Sequence, residues 1–195
     1  MNWKLIVFIL LIGYGAYQHF SERPDYSTPG AMTQQLPTQT NTKHSSFTYH
    51  DYTITPLADF SIEARVLAKE AYHLDRGASL SPMDLALGWG PMSDSKVLNQ
   101  IRISQSNRFY YWHVEHFPIS REAIETNSAN MHMIPADDTV ESQLSDVRVG
   151  QLIKIEGYLV QANAKDGFNW KSSLTRQDTG AGACELVFVK KLITQ

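Results

Sequence analysis

Residues 5–17 read Leu-Ile-Val-Phe-Ile-Leu-Leu-Ile-Gly-Tyr-Gly-Ala-Tyr, an uncharged run at the extreme N-terminus of a 195-residue chain. A helix rises about 1.5 Å per residue, so crossing a ~30 Å hydrocarbon core takes roughly 20 apolar residues. The strict run is shorter. Trp3 at one end, with Tyr14, Tyr17 and Phe20 at the other, extends it as interfacial anchors, so one transmembrane helix is expected over residues 1–20, in contact with the lipid bilayer through 3–20. A cleaved signal peptide would need small residues at the cut. Gly13-Tyr14-Gly15 comes nearest, and bulky Tyr17, His19 and Phe20 follow it, so the segment is expected to be retained. Lys4 and the terminal amine precede the run, whereas Arg23 after it stands between Glu22 and Asp25. The positive-inside rule then puts the N-terminus in the cytoplasm and the rest outside, which in a bacterium with two membranes means an inner-membrane protein with a periplasmic domain.

Residues 21–46 hold three prolines and few apolar side chains, the composition of a disordered polar linker. Residues 47–195 are the common size of one domain with its own core. Of 17 basic and 20 acidic residues in the chain, this part keeps 14 and 18, a net charge of −4. It has no basic stripe, which argues against nucleic acid or anionic lipid as the main partner. Cys184 is the sole cysteine, so no internal disulfide is possible; in an oxidising compartment a buried thiol is the expectation.

Residues 52–57 and 60–67 alternate apolar and polar side chains, the period-two signal of half-buried strands. Ser81-Pro82-Met83-Asp84 has the form of a helix start, cut short by Gly88-Trp89-Gly90-Pro91. Two further strands are predicted around a Ser-Gln-Ser-Asn turn, at 101–103 and 108–114, then a short helix over 120–125 and another opened by the capping box Asp138-x-x-Glu141. A long strand over 152–160 carries Gly157, the mark of a bulge or barrel corner. Residues 168–170 follow a Lys-Asp-Gly turn, and a strand over 184–189 closes the chain. The expected fold is β-rich α+β: a partly open β-barrel, OB-like or SH3-like, with short helical insertions and preceded by the transmembrane helix.

The chemical motifs are partial. His113, Glu115 and His116 share a short segment, but on a strand His113 and Glu115 face one way and His116 the other, and a third ligand would have to come from His132 or a distant acid; no metal site is expected. Asp178-Thr179-Gly180-Ala181 matches an aspartic-protease tetrapeptide, yet polar residues precede it and too few follow it, so a turn is the better account. Lys171 beside Ser172 and Ser173 would face away from one of them on a strand. Glycine-rich phosphate cradles are absent, and no cofactor is expected. The pair Cys184 and His132 is the one catalytic candidate, a thiol with an imidazole base that Asn130, Asp137 or Asp138 could orient.

Two polar-rich stretches, 127–138 and 170–185, mix amides, hydroxyls, charges and small residues where a plain connection would be shorter. If they converge, Asn130, His132, Ser172, Ser173, Arg176 and Asp178 line one polar binding surface. Aromatic residues at Trp89, Tyr110, Tyr111, Trp112 and Trp170 would add a stacking patch or lie in the core. These stretches, with the anchor plan and roughly residues 108–190, resemble a group of single-span bacterial envelope proteins without an assigned activity. The resemblance implies a bacterial origin and the anchor-plus-domain layout, and carries no site residue with it. The expected function is non-enzymatic: a membrane-anchored envelope protein whose extracytoplasmic domain binds a protein partner or envelope component, the alternative being an envelope hydrolase built on Cys184 and His132.

Overall fold

The computed structural model describes residues 3–21, 33–175 and 184–195. It is β-rich, with one large mixed sheet and few short helices. After helix α1 (Trp3–Ser21) come β1 (Thr38–Asn41), β2 (Phe47–Tyr49), the 20-residue β3 (Tyr52–Ala71) and β4 (Met83–Gly88). A 3-10 turn (Gly90–Ser93), α2 (Ser95–Leu98), the hairpin β5 (Arg102–Ser106) and β6 (Phe109–His113), and α3 (Arg121–Thr126) form an insertion. Then follow β7 (Ser128–Pro135), α4 (Asp138–Asp146), β8 (Leu152–Ala164), β9 (Asn169–Lys171) and β10 (Glu185–Thr194).

The large sheet pairs β3 with β4, β4 with β7, β7 with β10 and β10 with β8, and β8 returns to pair with β3. Only the β7–β10 pair in this ring is parallel. The ring closes unevenly: β3 and β8 pair from Tyr52 to Arg65, whereas β7 and β10 pair only from Met131 to Pro135. Register slips between Pro56 and Ala58, where proline lacks a ladder N–H, and this lets the long strand bend. Gly157 serves the β8–β10 crossing, where β10 slips register between Val189 and Lys191: a Cβ there would lie 2.0 Å from the Phe188 carbonyl oxygen, so only glycine lets β10 cross so closely.

Alternation along the strands separates an inner core from two outer ones. Phe60, Ile62, Leu85, Leu87, Met131, Met133, Ile155, Val187 and Val189 point inward and are joined by Val140 and Leu144 of α4. Outside, Tyr52, Ile54, Ile134, Leu186 and Phe188 form one apolar layer. Leu67, Ala86, Met92, Leu98, Ile101 and Ile124 form another, beneath the hairpin side chains Ile103, Tyr110 and Trp112.

Three expectations are corrected, and a fourth finds no support. Met83–Gly88 is a strand and not a helix; all six residues are buried, so the covered outer side gives no polar phase to read. The stretch 127–138 is no connection, since Ser128–Pro135 is a central strand. Part of the segment read as linker is docked: Thr33 is buried and β1 pairs with β3. No helix among the described residues is long and apolar enough to cross a membrane, so the span read over 3–20 has no support here; the apolar run fills only the first part of α1, which ends on Gln18-His19-Phe20-Ser21.

Candidate functional site

Strand alternation puts Met83, Leu85, Met131 and Met133 inside the ring and leaves Asp84, Asn130 and His132 on its outer side. Asp84 is paired in register with His132, and Ala86 with Asn130. These three polar residues lie between the two outer apolar layers and are themselves buried; Asp84 has no exposed surface at all. The tip of the β5–β6 hairpin covers them. Asn107 and Arg108 occupy the turn with φ of 52° and 69°, the left-handed conformation that a tight two-residue hairpin requires at both positions.

That turn aims the Arg108 guanidinium into the cluster. Its Nη1 donates to Asp84 Oδ1 (2.9 Å) and to the Ser81 carbonyl (2.9 Å), while Nε and Nη2 hold both oxygens of Asp75 (3.0 and 2.9 Å). The guanidinium carbon sits 3.6 Å from the Tyr72 ring centroid and 5.4 Å from that of Trp170. The Arg108 backbone is used as well: its N–H donates to the Tyr72 hydroxyl (2.9 Å), and its carbonyl accepts from Asn130 Nδ2 (2.9 Å) and lies 4.0 Å from Cys184 Sγ. His132 Nδ1 stands 2.9 Å from Asp84 Oδ1 without the alignment of a hydrogen bond, and the Trp170 ring covers the imidazole at 4.6 Å. Gly77 makes room for that tryptophan, since a Cβ there would lie 2.7 Å from its ring. The Arg108 fork holds the Asp75 carboxyl below the usual carboxylate range, and burial pushes the Tyr72 hydroxyl up to about 12.

Of the six residues read as a binding surface, Asn130 and His132 share the outer side of β7, and Ser172 is bonded to the neighbouring strand β10. The N–H of Leu186, the register partner of His132, donates to Ser172 Oγ (3.0 Å). These three and Ser173 are all buried. Ser172 Oγ also donates to the Ser173 carbonyl, and Ser173 Oγ bonds Thr175 on both sides, so the serines staple residues 172–175 onto β10. Arg176 and Asp178 lie outside the described residues, as does the tetrapeptide 178–181. Cys184 is half-buried and on the same outer side as Asn130, and Asp84 lies beside His132 where Asn130, Asp137 or Asp138 had been expected to. Asp137 instead caps α4 through the Val140 N–H.

Asp84, Asp75, Arg108 and Tyr72 are the members that sequence reasoning missed. Asp84 had been read as an acid in a first helical turn and Arg108 as the start of a strand. Trp170 had been noted only as an aromatic. Among the described residues no three His, Cys, Asp or Glu side chains converge on a point where a metal ion would sit. His113, Glu115 and His116 instead share a surface hollow with Asn99, Gln100 and Arg102, in which Arg102 pairs with Glu115 at 2.8 Å. Compared with known proteins, the chain matches no family model, no curated protein and no solved structure.

Proposed function

We propose that the domain is an OB-like barrel serving as a non-enzymatic binding module, held at the bacterial inner membrane by α1 with its body in the periplasm. Its five-strand ring of β3, β4, β7, β10 and β8 has the Greek-key connectivity of that barrel and not of an SH3-like one. OB-like barrels present ligands with the outer side of their second and third strands and the loops between strands one and two and strands four and five. In this chain those are β4, β7, residues 72–82 and, among the described residues after β8, 165–168 and 172–175. The observation that carries the reading is the gathering of Asp84, Arg108, Asn130, His132 and Trp170 at that place, together with an open hollow beside it lined by Tyr72, His73, Leu74, Asp75 and Asn107. A protein partner or envelope component would engage the rim of the cluster, where Leu74 is almost wholly exposed. For the anchor, the exposed apolar side chains Leu5, Val7, Phe8, Ile9, Leu10 and Ile12 of α1 favour lipid as their surroundings.

A photo-crosslinking residue at Leu74, with one at Ile193 as control, tests the module in cells. Adducts confined to position 74 are expected. Equal yields at both positions would remove the proposed face. A second reading, the hydrolase on Cys184 and His132, is favoured by one arrangement: Asp84 lies at Nδ1 of His132, where the orienting acid of a thiol–imidazole pair stands. An inert Cys184 thiol in the folded protein, reacting only after denaturation, would end that reading.

A further inference from the structure

We infer that the insertion between β4 and β7 is the face this domain lays against the lipid surface, the contact being the outer side of the β5–β6 hairpin. The inference rests on the proposed membrane anchoring through α1. Outside α1, the large apolar side chains exposed among the described residues are Leu36, Leu74, Phe109, Tyr111, Phe117, Leu174 and Ile193. Three of the seven, Phe109, Tyr111 and Phe117, belong to the insertion. The hairpin's inner side is spent on the barrel through Ile103, Tyr110 and Trp112. Its outer side presents Phe109, Tyr111 and His113, opposite Ser106, Ser104 and Arg102 in register. Aromatic rings flanked by hydroxyls suit the boundary between acyl chains and headgroups, and Arg102 beside them is already neutralised by Glu115 at 2.8 Å, so the rings carry the contact.

The path of the chain selects lipid over a protein partner for this side. Thr33 is fastened to the insertion itself: its N–H donates to Ser93 Oγ (3.0 Å) and its carbonyl accepts from the Gly90 N–H (2.7 Å). Only residues 22–32 separate Thr33 from the end of α1. Twelve peptide steps reach at most about 40 Å, roughly one domain diameter. A domain attached by its insertion holds that layer nearest the end of α1, with the wall of β8 and β10 on the far side.

The test uses the full chain with Cys184→Ala, reconstituted in vesicles of mixed phosphatidylcholine and phosphatidylglycerol. Spin labels are placed at Tyr111→Cys and, as control, at Ile193→Cys. Collisions with a water-soluble nickel chelate should fall several-fold at position 111 and stay at the aqueous level at 193. Hydroxyl-radical footprinting of the unaltered chain in the same vesicles supplies the check on folding, with Tyr111 protected and Ile193 not. If the chain floats with the vesicles and both positions remain equally open to water, the docking face is wrong and the anchor stands. If the chain does not float, the anchor and the docking face fall together.

Discussion

Asp84 has no contact with solvent, and what keeps a carboxylate there is Arg108 from the hairpin turn. Truncating one member of a buried, hydrogen-bonded charge pair costs about 3–5 kcal/mol, because the other charge stays behind without compensation. Arg108→Ala should therefore lower the unfolding free energy obtained from urea titration by that amount, and Arg108→Lys should recover only part of it, a point charge being unable to hold Asp75 and Asp84 together. Asp75 is the contrasting partner. Its side chain is 42% exposed, so Asp75→Asn should cost about 1 kcal/mol or less in the same measurement. Because Arg108 lowers the Asp75 pKa, its contribution is complete above the ordinary carboxylate value and fades as pH falls through the lower folded one; the gap between wild type and Asp75→Asn should close below about pH 4. Tyr72 behaves oppositely. Its pKa is raised to about 12, so its contribution is whole below the ordinary tyrosine pKa and is lost as pH climbs through the folded value. Alkaline titration by circular dichroism should show a smaller loss in Tyr72→Phe than in wild type, the remainder coming from Tyr49 and Tyr110, whose hydroxyl pKa burial also raises. Asn130 and His132 were legible as residues out of place in an apolar setting. Asp84 and Arg108 were not, since each is defined by a partner far away in sequence.

The hairpin and the β8–β10 crossing are the elements whose local chemistry can be tested one residue at a time. Asn107 tolerates positive φ, as a β-branched residue does not. Asn107→Gly should leave stability within about 0.5 kcal/mol, whereas Asn107→Val should cost about 1–2 kcal/mol and loosen the Arg108 turn. Gly157→Ala would drive a methyl group into the Phe188 carbonyl and should lower the thermal midpoint by several degrees, an overpacking cost of about 1–3 kcal/mol. The hairpin, the short helix after Ser120, the helix opening near Asp138 (its cap one residue earlier, at Asp137) and the long strand through Gly157 were readable, because their signals are local. β4 was misread because Ser81-Pro82 imitates a helix start, and β7 because its outward polar residues broke the expected apolar phase. In both, tertiary cover overrode propensity.

At the scale of the molecule, a β-rich domain with helical insertions could be read from alternation and turn residues. The ring could not, because its closure depends on pairings such as Tyr52 with Ala164 and Met131 with Glu185, which leave no mark on either partner. Nor could the docking of Thr33 and β1, whose composition is that of a linker. A chain starting at Thr33 should keep the thermal midpoint of the domain, and one starting at Phe47 should lose several degrees through the bared edge of β3. The ring also has an order in time. β10, the strand that joins β7 to β8, comes after both of them in the chain. Until it has been made, β7 has no neighbour on one side and the inner core has no wall there, so the strands before it cannot mature segment by segment as they emerge. Long-range pairing of β10 is the slow step, and bare strand edges are at risk of association in the meantime. A stop codon anywhere upstream of Glu185 thus produces an open sheet with a sticky margin, a substrate for proteases, in place of a slightly weaker barrel.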